Sequence, residues 1–231
     1  MDSQDKPELQ NRIVAIIGRK GTGKSTKLAE ILASEDRILI FDPMAEHDFI
    51  PNNLQSLGEL AEFFKWTKKK NEWAATFVPG EEIEQNIEDV SKMVYNRGNL
   101  AFAIEEVPLI CSPGHLPKIL GKLIRTGRHR EIDIYWTAQR AGECSRTLTS
   151  LTDEFILYSQ TEPLDLDAIA KRCTSAVADR VAALHGHDYL VWDVARRELA
   201  GHDVSTLTEK PEKDPPALNA VPAAPGTPVI N

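Results

Sequence analysis

The 231-residue sequence holds only three cysteines, Cys111, Cys144 and Cys173, far apart and odd in number. They offer neither a disulfide framework nor a metal-ligand spacing, and they fit a reducing compartment. The six histidines show no metal spacing either. No apolar run approaches the roughly 18–20 residues that span a bilayer. The chain opens on a polar, acidic stretch unlike a signal peptide. Positive charge is in deficit, 27 Lys+Arg against 35 Asp+Glu, for a formal net charge of −8. That balance argues against a protein that coats nucleic acid through bulk positive charge, and leaves room for a grip through a local patch. Internal repeats are absent.

What remains is an ordinary soluble composition, 42% hydrophobic and 27% charged, enough to bury a sizeable core. The length suits one α/β domain or a tight pair of small ones. Proline marks one boundary. Six of the 14 prolines fall in residues 209–231, and proline neither donates to a ladder nor fits a helix interior. This reads as an extended tail. Residues 1–11 read as an N-terminal arm and residues 12–208 as the folded body.

The body alternates between two periods. Residues 12–17, 37–41, 73–78, 100–104, 132–138 and 154–159 are short, apolar strand candidates. Residues 24–33, 57–68, 82–95, 116–126, 164–173 and 175–184 carry helical spacing. Residues 188–193 and 198–201 read as a terminal β-hairpin. Continuous apolar strands separated by helices predict an α/β fold with a mainly parallel central sheet flanked by helices. Trp66, Trp73, Trp136 and Trp192 are expected in the core. Asp42 before Pro43 reads as a turn residue, and His185-Gly186-His187 as a loop.

The first strand runs into Gly18-Arg19-Lys20-Gly21-Thr22-Gly23-Lys24-Ser25, followed by Thr26. This satisfies GxxxxGK[ST] in the strand–loop–helix context the motif needs. The glycines let successive backbone N–H groups turn toward phosphates, and the next helix adds its positive end. Lys24 is placed to reach the β- and γ-phosphates, and the Ser25 hydroxyl to ligate Mg²⁺. The pattern therefore calls for ATP with Mg²⁺.

Residues 100–104 lead into Glu105-Glu106. An apolar strand ending in two acids supplies the other half of a P-loop hydrolase site, its end expected beside the phosphate loop. We assign Glu105 to the metal, through water, and Glu106 to the attacking water. Strand 132–138 ends at Gln139, whose carboxamide can sense the γ-phosphate.

Between residues 107 and 130 there is no acid, while Lys118, Lys122, Arg125, Arg128 and Arg130 are all basic. Lys118, Lys122 and Arg125 share one helix face. They suit a DNA-facing patch. An arginine here could instead serve a neighbouring subunit's nucleotide, Arg128 first, then Arg125 and Arg140. A merely solvated basic face is the plain alternative, as it is for Lys65 and Lys68-Lys69-Lys70.

Four stretches, GRKGTGKS, LAFAIEE, TGRHREIDIYWTAQR and FILYSQTEPLDLDAI, together resemble the FtsK/HerA superfamily of P-loop ATPases. The resemblance implies a RecA-like (ASCE) P-loop NTPase domain over residues 12–208. It carries roles to Lys24, Ser25, Glu105, Glu106, Gln139 and Arg128, and departs at Glu105, where Asp is usual. It implies a homo-oligomeric ring that pumps double-stranded DNA. A bare ATPase core is most similar to the genome-packaging ATPases of tailless viruses with internal membranes. That likeness implies residence at the virion's packaging vertex or in host cytoplasm, with a capsid-vertex or membrane-protein partner. Two other readings stay open: a P-loop ATPase that moves protein, as in phage morphogenesis or secretion, and a small-molecule kinase on the same fold.

Overall fold

The computed structural model describes residues 11–47 and 50–200. Most of the expected N-terminal arm and all of the proline-rich tail lie outside the described residues.

Among the described residues nine strands form one sheet: β1 (Ile13–Ile17), β2 (Arg37–Phe41), β3 (Asn53–Leu54), β4 (Trp73–Phe77), β5 (Leu100–Ile104), β6 (Ile132–Ala138), β7 (Glu154–Tyr158), β8 (Tyr189–Asp193) and β9 (Glu198–Ala200). Their order is β3-β4-β2-β5-β6-β1-β7-β8-β9. Strands up to β7 pair in parallel, and β8 and β9 close that edge antiparallel, which is the expected hairpin. Parallel pairing demands crossovers, and α1 (Lys24–Leu32), α2 (Leu57–Trp66), α3 (Ile83–Arg97) and α4 (Lys118–Thr126) provide them. The short α5 (Arg146–Ser150) leads into β7, and α6 (Pro163–Arg172) and α7 (Ser175–Ala182) follow it.

Alternation along each strand sorts the core into two layers. Ile13, Ala15 and Ile17 of β1 join Phe102 and Ile104 of β5 and Trp136 of β6 on one face, against Leu60, Val90, Leu123 and Val181 from the helices. Val14 and Ile16 face the other way, where Leu28 and Leu32 of α1 cover Ile38, Ala103 and Tyr135. Both faces are buried, which is why these strands read as unbroken apolar runs.

Several boundaries depart from the sequence reading, each for a local reason. The helix expected from Leu116 begins at Lys118, because Pro117 holds an extended ψ of 138° and disfavours helical geometry at Leu116. Glu88 of α3 accepts the orphan N–H groups of Ile119 and Leu120 at 2.6 and 3.0 Å and so caps α4. The helix expected through residue 68 stops at Trp66, where the Thr67 hydroxyl takes the Phe63 carbonyl. α3 runs on to Arg97 and ends at Gly98, in the left-handed region with φ 62°. β3 and α5 were too short to show a period. Trp73, Trp136 and Trp192 are core residues, whereas Trp66 is half-buried and carries the Lys70 ammonium 4.0 Å above its ring. Among the described residues, no helix is long and apolar enough to cross a membrane.

Candidate nucleotide site

Every strand whose C-terminal end carries a chemically active residue delivers it to the same sheet edge. β1 opens into the loop of residues 18–23, β5 into Glu105 and Glu106, and β6 into Gln139. The acids are not on the strand next to the loop: β6 stands between β5 and β1. Register compensates. Ile17 pairs with Ala138 and Ile104 with Trp136, so all three ends stop within about two residues of one another.

The loop turns through Gly21 (φ 80°) and Gly23 (φ 99°) before α1 begins at Lys24. Gly18 is required by proximity instead. A Cβ there would lie 2.4 Å from the Tyr158 Cβ and 2.7 Å from the Thr22 hydroxyl. Lys24 is only 7% exposed, yet its ammonium has weak company. It lies 3.4 Å from the Arg19 carbonyl and 4.0 Å from Glu106 Oε1. An ammonium with three donors, nearly out of water and without a close anion among the described residues, has an unmet demand for negative charge. Ser25 sits in the same first helical turn, half-buried, and Thr26 beside it is exposed. Arg19 and Lys20 are exposed on the loop.

Glu106 faces this ammonium. Its Oε1 accepts from Gln139 Nε2 at 3.2 Å, so Lys24, Glu106 and Gln139 form one constellation. Burial pushes the Glu106 carboxyl above its ordinary value of 4.5, and the charges of Glu105 and Glu46 add to this. The Gln139 hydrogen bond and Lys24 pull part of the way back. Its backbone is in the left-handed region, φ 48°, a geometry costly for a residue with a Cβ. The Gln139 carbonyl is held by Gln160 Nε2 at 2.8 Å.

Glu105 is 3% exposed and faces inward rather than toward the loop. Its Oε1 accepts from His47 Nε2 at 2.6 Å, and its Oε2 accepts from the Thr137 hydroxyl. The Thr137 oxygen in turn accepts from the Glu106 N–H at 3.0 Å, which ties the two acids together. Asp42, fully buried and a turn residue as expected, accepts from the N–H groups of Met44 and His47. A carboxylate has about four lone-pair sites. Glu105 therefore keeps acceptor capacity beyond these two bonds, and carboxylate and hydroxyl oxygens such as those of Glu105 and Ser25 are the hard ligand type that Mg²⁺ prefers.

His47 titrates above the ordinary imidazole value of 6.5. Burial opposes its charge, but the Glu105 hydrogen bond and the charges of Glu105, Asp42 and Glu46 outweigh it. A raised folded-state pKa stabilises in full below the unfolded value of 6.5 and is lost as pH rises through the folded value. His47→Leu is therefore expected to cost about 3 kcal/mol at pH 6 and distinctly less at pH 9. Paired denaturant melts at the two pH values measure this, and an equal cost at both would refute the charged pair.

The arginine candidates are dispersed. Arg140 lies near the nucleotide edge but pairs with Asp165 at 3.2 Å and Glu143 at 3.6 Å within its own chain. Arg125 turns its guanidinium back onto the Gly121 carbonyl at 2.9 Å. Arg128 is exposed on the short turn Gly127–Arg130 that precedes β6. That is the opposite edge of the sheet, a full strand from its own Gln139. The basic segment does not sit beside the site edge as a whole: it begins there and α4 carries it away. Lys118, Lys122 and Arg125 do form an exposed stripe along α4.

Sequence reasoning missed His47, Thr137, Tyr158 and His187. His187, read as loop, places Nδ1 3.1 Å from the Thr22 carbonyl, and the Tyr158 hydroxyl approaches the Gly23 carbonyl at 3.4 Å. A single histidine in a loop and a threonine inside an apolar strand give no local pattern to detect.

A glycine loop after β1, with acids two strands away and a glutamine strand between, on an open sheet clothed by helices, defines a P-loop NTPase fold. No protein-family model and no curated protein sequence matches the chain. Solved structures do. The genome packaging NTPase B204 from Sulfolobus turreted icosahedral virus 2 in complex with AMP superposes with a TM-score of 0.70. It is 19% identical over 83% of this chain and 97% of that one. The same NTPase in complex with ATP-gammaS gives 0.68 at 19% identity, over 81% and 95% of the two chains. B204, the DNA-packaging ATPase from Sulfolobus turreted icosahedral virus, gives 0.63 at 19%, over 82% and 97%. The likeness is one of fold, and it is the architecture that the FtsK/HerA resemblance implied.

Proposed function

We propose that the chain is an ATP-driven motor for double-stranded DNA, a viral genome-packaging ATPase that works as a homo-oligomeric ring. The observation that carries the ATPase reading is the under-partnered Lys24 ammonium facing the Glu106–Gln139 pair at the mouth of a glycine loop. Backbone N–H groups of residues 21–26 and Lys24 would hold the phosphates. Ser25, and Glu105 through water, would hold Mg²⁺, which when bound neutralises charge on the β- and γ-phosphates. Glu106 orients the attacking water and accepts its proton, and Gln139 steers Glu106 and reports the γ-phosphate. The double acid after β5, followed one strand later by Gln139, favours hydrolysis over a kinase.

Two observations support the DNA reading. The described fold matches nearly the whole length of a viral DNA-packaging ATPase, and α4 offers an exposed stripe of three cations on an otherwise acidic chain. Arg140 and Arg125 are engaged within the chain and Arg128 stands at the far edge. A finger for the γ-phosphate would then come from a neighbour, with Arg128 the first candidate, so isolated monomers should turn over slowly. A packaging vertex in the virion, or host cytoplasm before assembly, suits this role, with a capsid or membrane protein as docking partner.

The test is ATPase rate against added double-stranded DNA at low salt. Stimulation is expected, with loss on raising salt and on charge reversal of Lys118, Lys122 and Arg125 together. No stimulation at low salt would remove the DNA reading, and stimulation by a partner protein alone would replace it with protein transport.

A further inference from the structure

The phosphate loop has an outer side as well as an inner one, and the fold builds a support against it. Behind the loop stand Tyr158 at the end of β7, His187 in the turn before β8, and Tyr189 at the start of β8. Tyr158 and Tyr189 have ring centroids 5.3 Å apart, and the Lys27 ammonium of α1 lies 5.0 Å from the Tyr189 ring. From this wall, His187 Nδ1 meets the Thr22 carbonyl at 3.1 Å. A carbonyl only accepts, so Nδ1 carries the proton in this contact. The Tyr158 hydroxyl stands 3.4 Å from the Gly23 carbonyl, which also accepts the first helical bond from Lys27 at 2.9 Å.

A trans peptide unit is planar, with its C=O and the following N–H pointing in opposite directions, and the peptides of the described residues are all trans. A Thr22 carbonyl pinned outward therefore turns the Gly23 N–H inward, and a pinned Gly23 carbonyl does the same for the Lys24 N–H. Gly23 at φ 99° cannot rely on side-chain sterics to choose this orientation, since glycine takes many others. We infer that His187 is a positioning residue for the phosphate cradle, which it holds from behind by fixing the Thr22–Gly23 peptide with the Gly23 N–H aimed at the β-phosphate. The hairpin edge of the sheet thereby contributes to nucleotide affinity without touching nucleotide. The inference rests on the ATP-binding reading above.

The test compares His187→Ala, His187→Leu and His187→Asn with the wild type in the full chain. An asparagine amide can place its N–H near the position of Nδ1, whereas leucine fills space without a donor. Losing one such bond predicts a KM for ATP roughly 5- to 10-fold higher for Ala and Leu, with kcat within about twofold, and substantial recovery for Asn. The Gly23 amide ¹⁵N resonance of the nucleotide-free protein should shift in Ala and Leu and return toward the wild type in Asn. Ala binding ATP as the wild type does, or Asn faring no better than Leu, would overturn the His187 assignment and leave the ATPase reading standing. A wild-type chain that binds no ATP would overturn both, and the Gly23 resonance would still show whether the contact forms.

Discussion

Glu106→Gln is expected to bind ATP and fail to split it, with turnover lower by about 10²- to 10⁴-fold, the usual contribution of a general base. Shape and hydrogen bonding survive the change, because a carboxamide can still accept from Gln139 Nε2. What disappears is the anion beside Lys24 and the group that takes a proton from water. Removing a negative charge 4.0 Å from that ammonium should also leave ATP affinity unchanged or improved. Single-turnover assays with equilibrium nucleotide binding separate the two effects. Full turnover by this variant would refute the assignment. The wild type carries a second signature. Burial raises the Glu106 pKa above 4.5, so the carboxylate is lost on acidification sooner than an exposed one would be. The acidic limb of kcat should lie above pH 4.5 and be absent from the residual rate of Glu106→Gln. Glu106→Gly makes a useful control. At φ 48° glycine relieves backbone strain of about 1 kcal/mol, so this variant should be inactive without being less stable.

Lys24→Ala should abolish useful nucleotide binding. A charge-assisted hydrogen bond to phosphate is worth about 1.5–3 kcal/mol, which corresponds to roughly 10- to 100-fold in affinity, with a further loss in turnover. The unusual part is the stability forecast. Among the described residues Lys24 makes only the 3.4 Å contact with Arg19 and the 4.0 Å contact with Glu106, while its ammonium is largely dehydrated. Deleting it removes a desolvation cost and few favourable contacts, so the nucleotide-free variant should melt at or above the wild-type temperature. Titration with a fluorescent ATP analogue and thermal melts without nucleotide check both halves. A marked drop in melting temperature would mean that Lys24 is already well partnered in the free protein.

The two variants also show where the sequence was sufficient. Lys24 and Ser25 follow from a contiguous motif, and Glu105, Glu106 and Gln139 each terminate an apolar strand. Once strands are parallel and crossovers are helical, residues at strand ends share an edge, so their convergence could be read from periodicity alone. Division of labour between the acids was harder. Adjacent residues after a strand diverge, and which of them meets Lys24 depends on the left-handed turn at Glu106 and on the Thr137 hydroxyl that joins them.

By itself the sequence determined the longer elements, the glycine loop and the chemically active residues at the ends of β1, β5 and β6, because these depend on local spacing and covalent order. Tertiary structure alone decided the rest. His47 meets Glu105 across 58 residues, and His187 meets Thr22 across 165. Strand order put β6 between the loop and the acids, paired Arg140 with Asp165, and left Arg128 at the far edge of the sheet. Such contacts follow from how buried faces stack and which strands become neighbours. That is a property of the whole core, to which no short stretch of sequence is a guide.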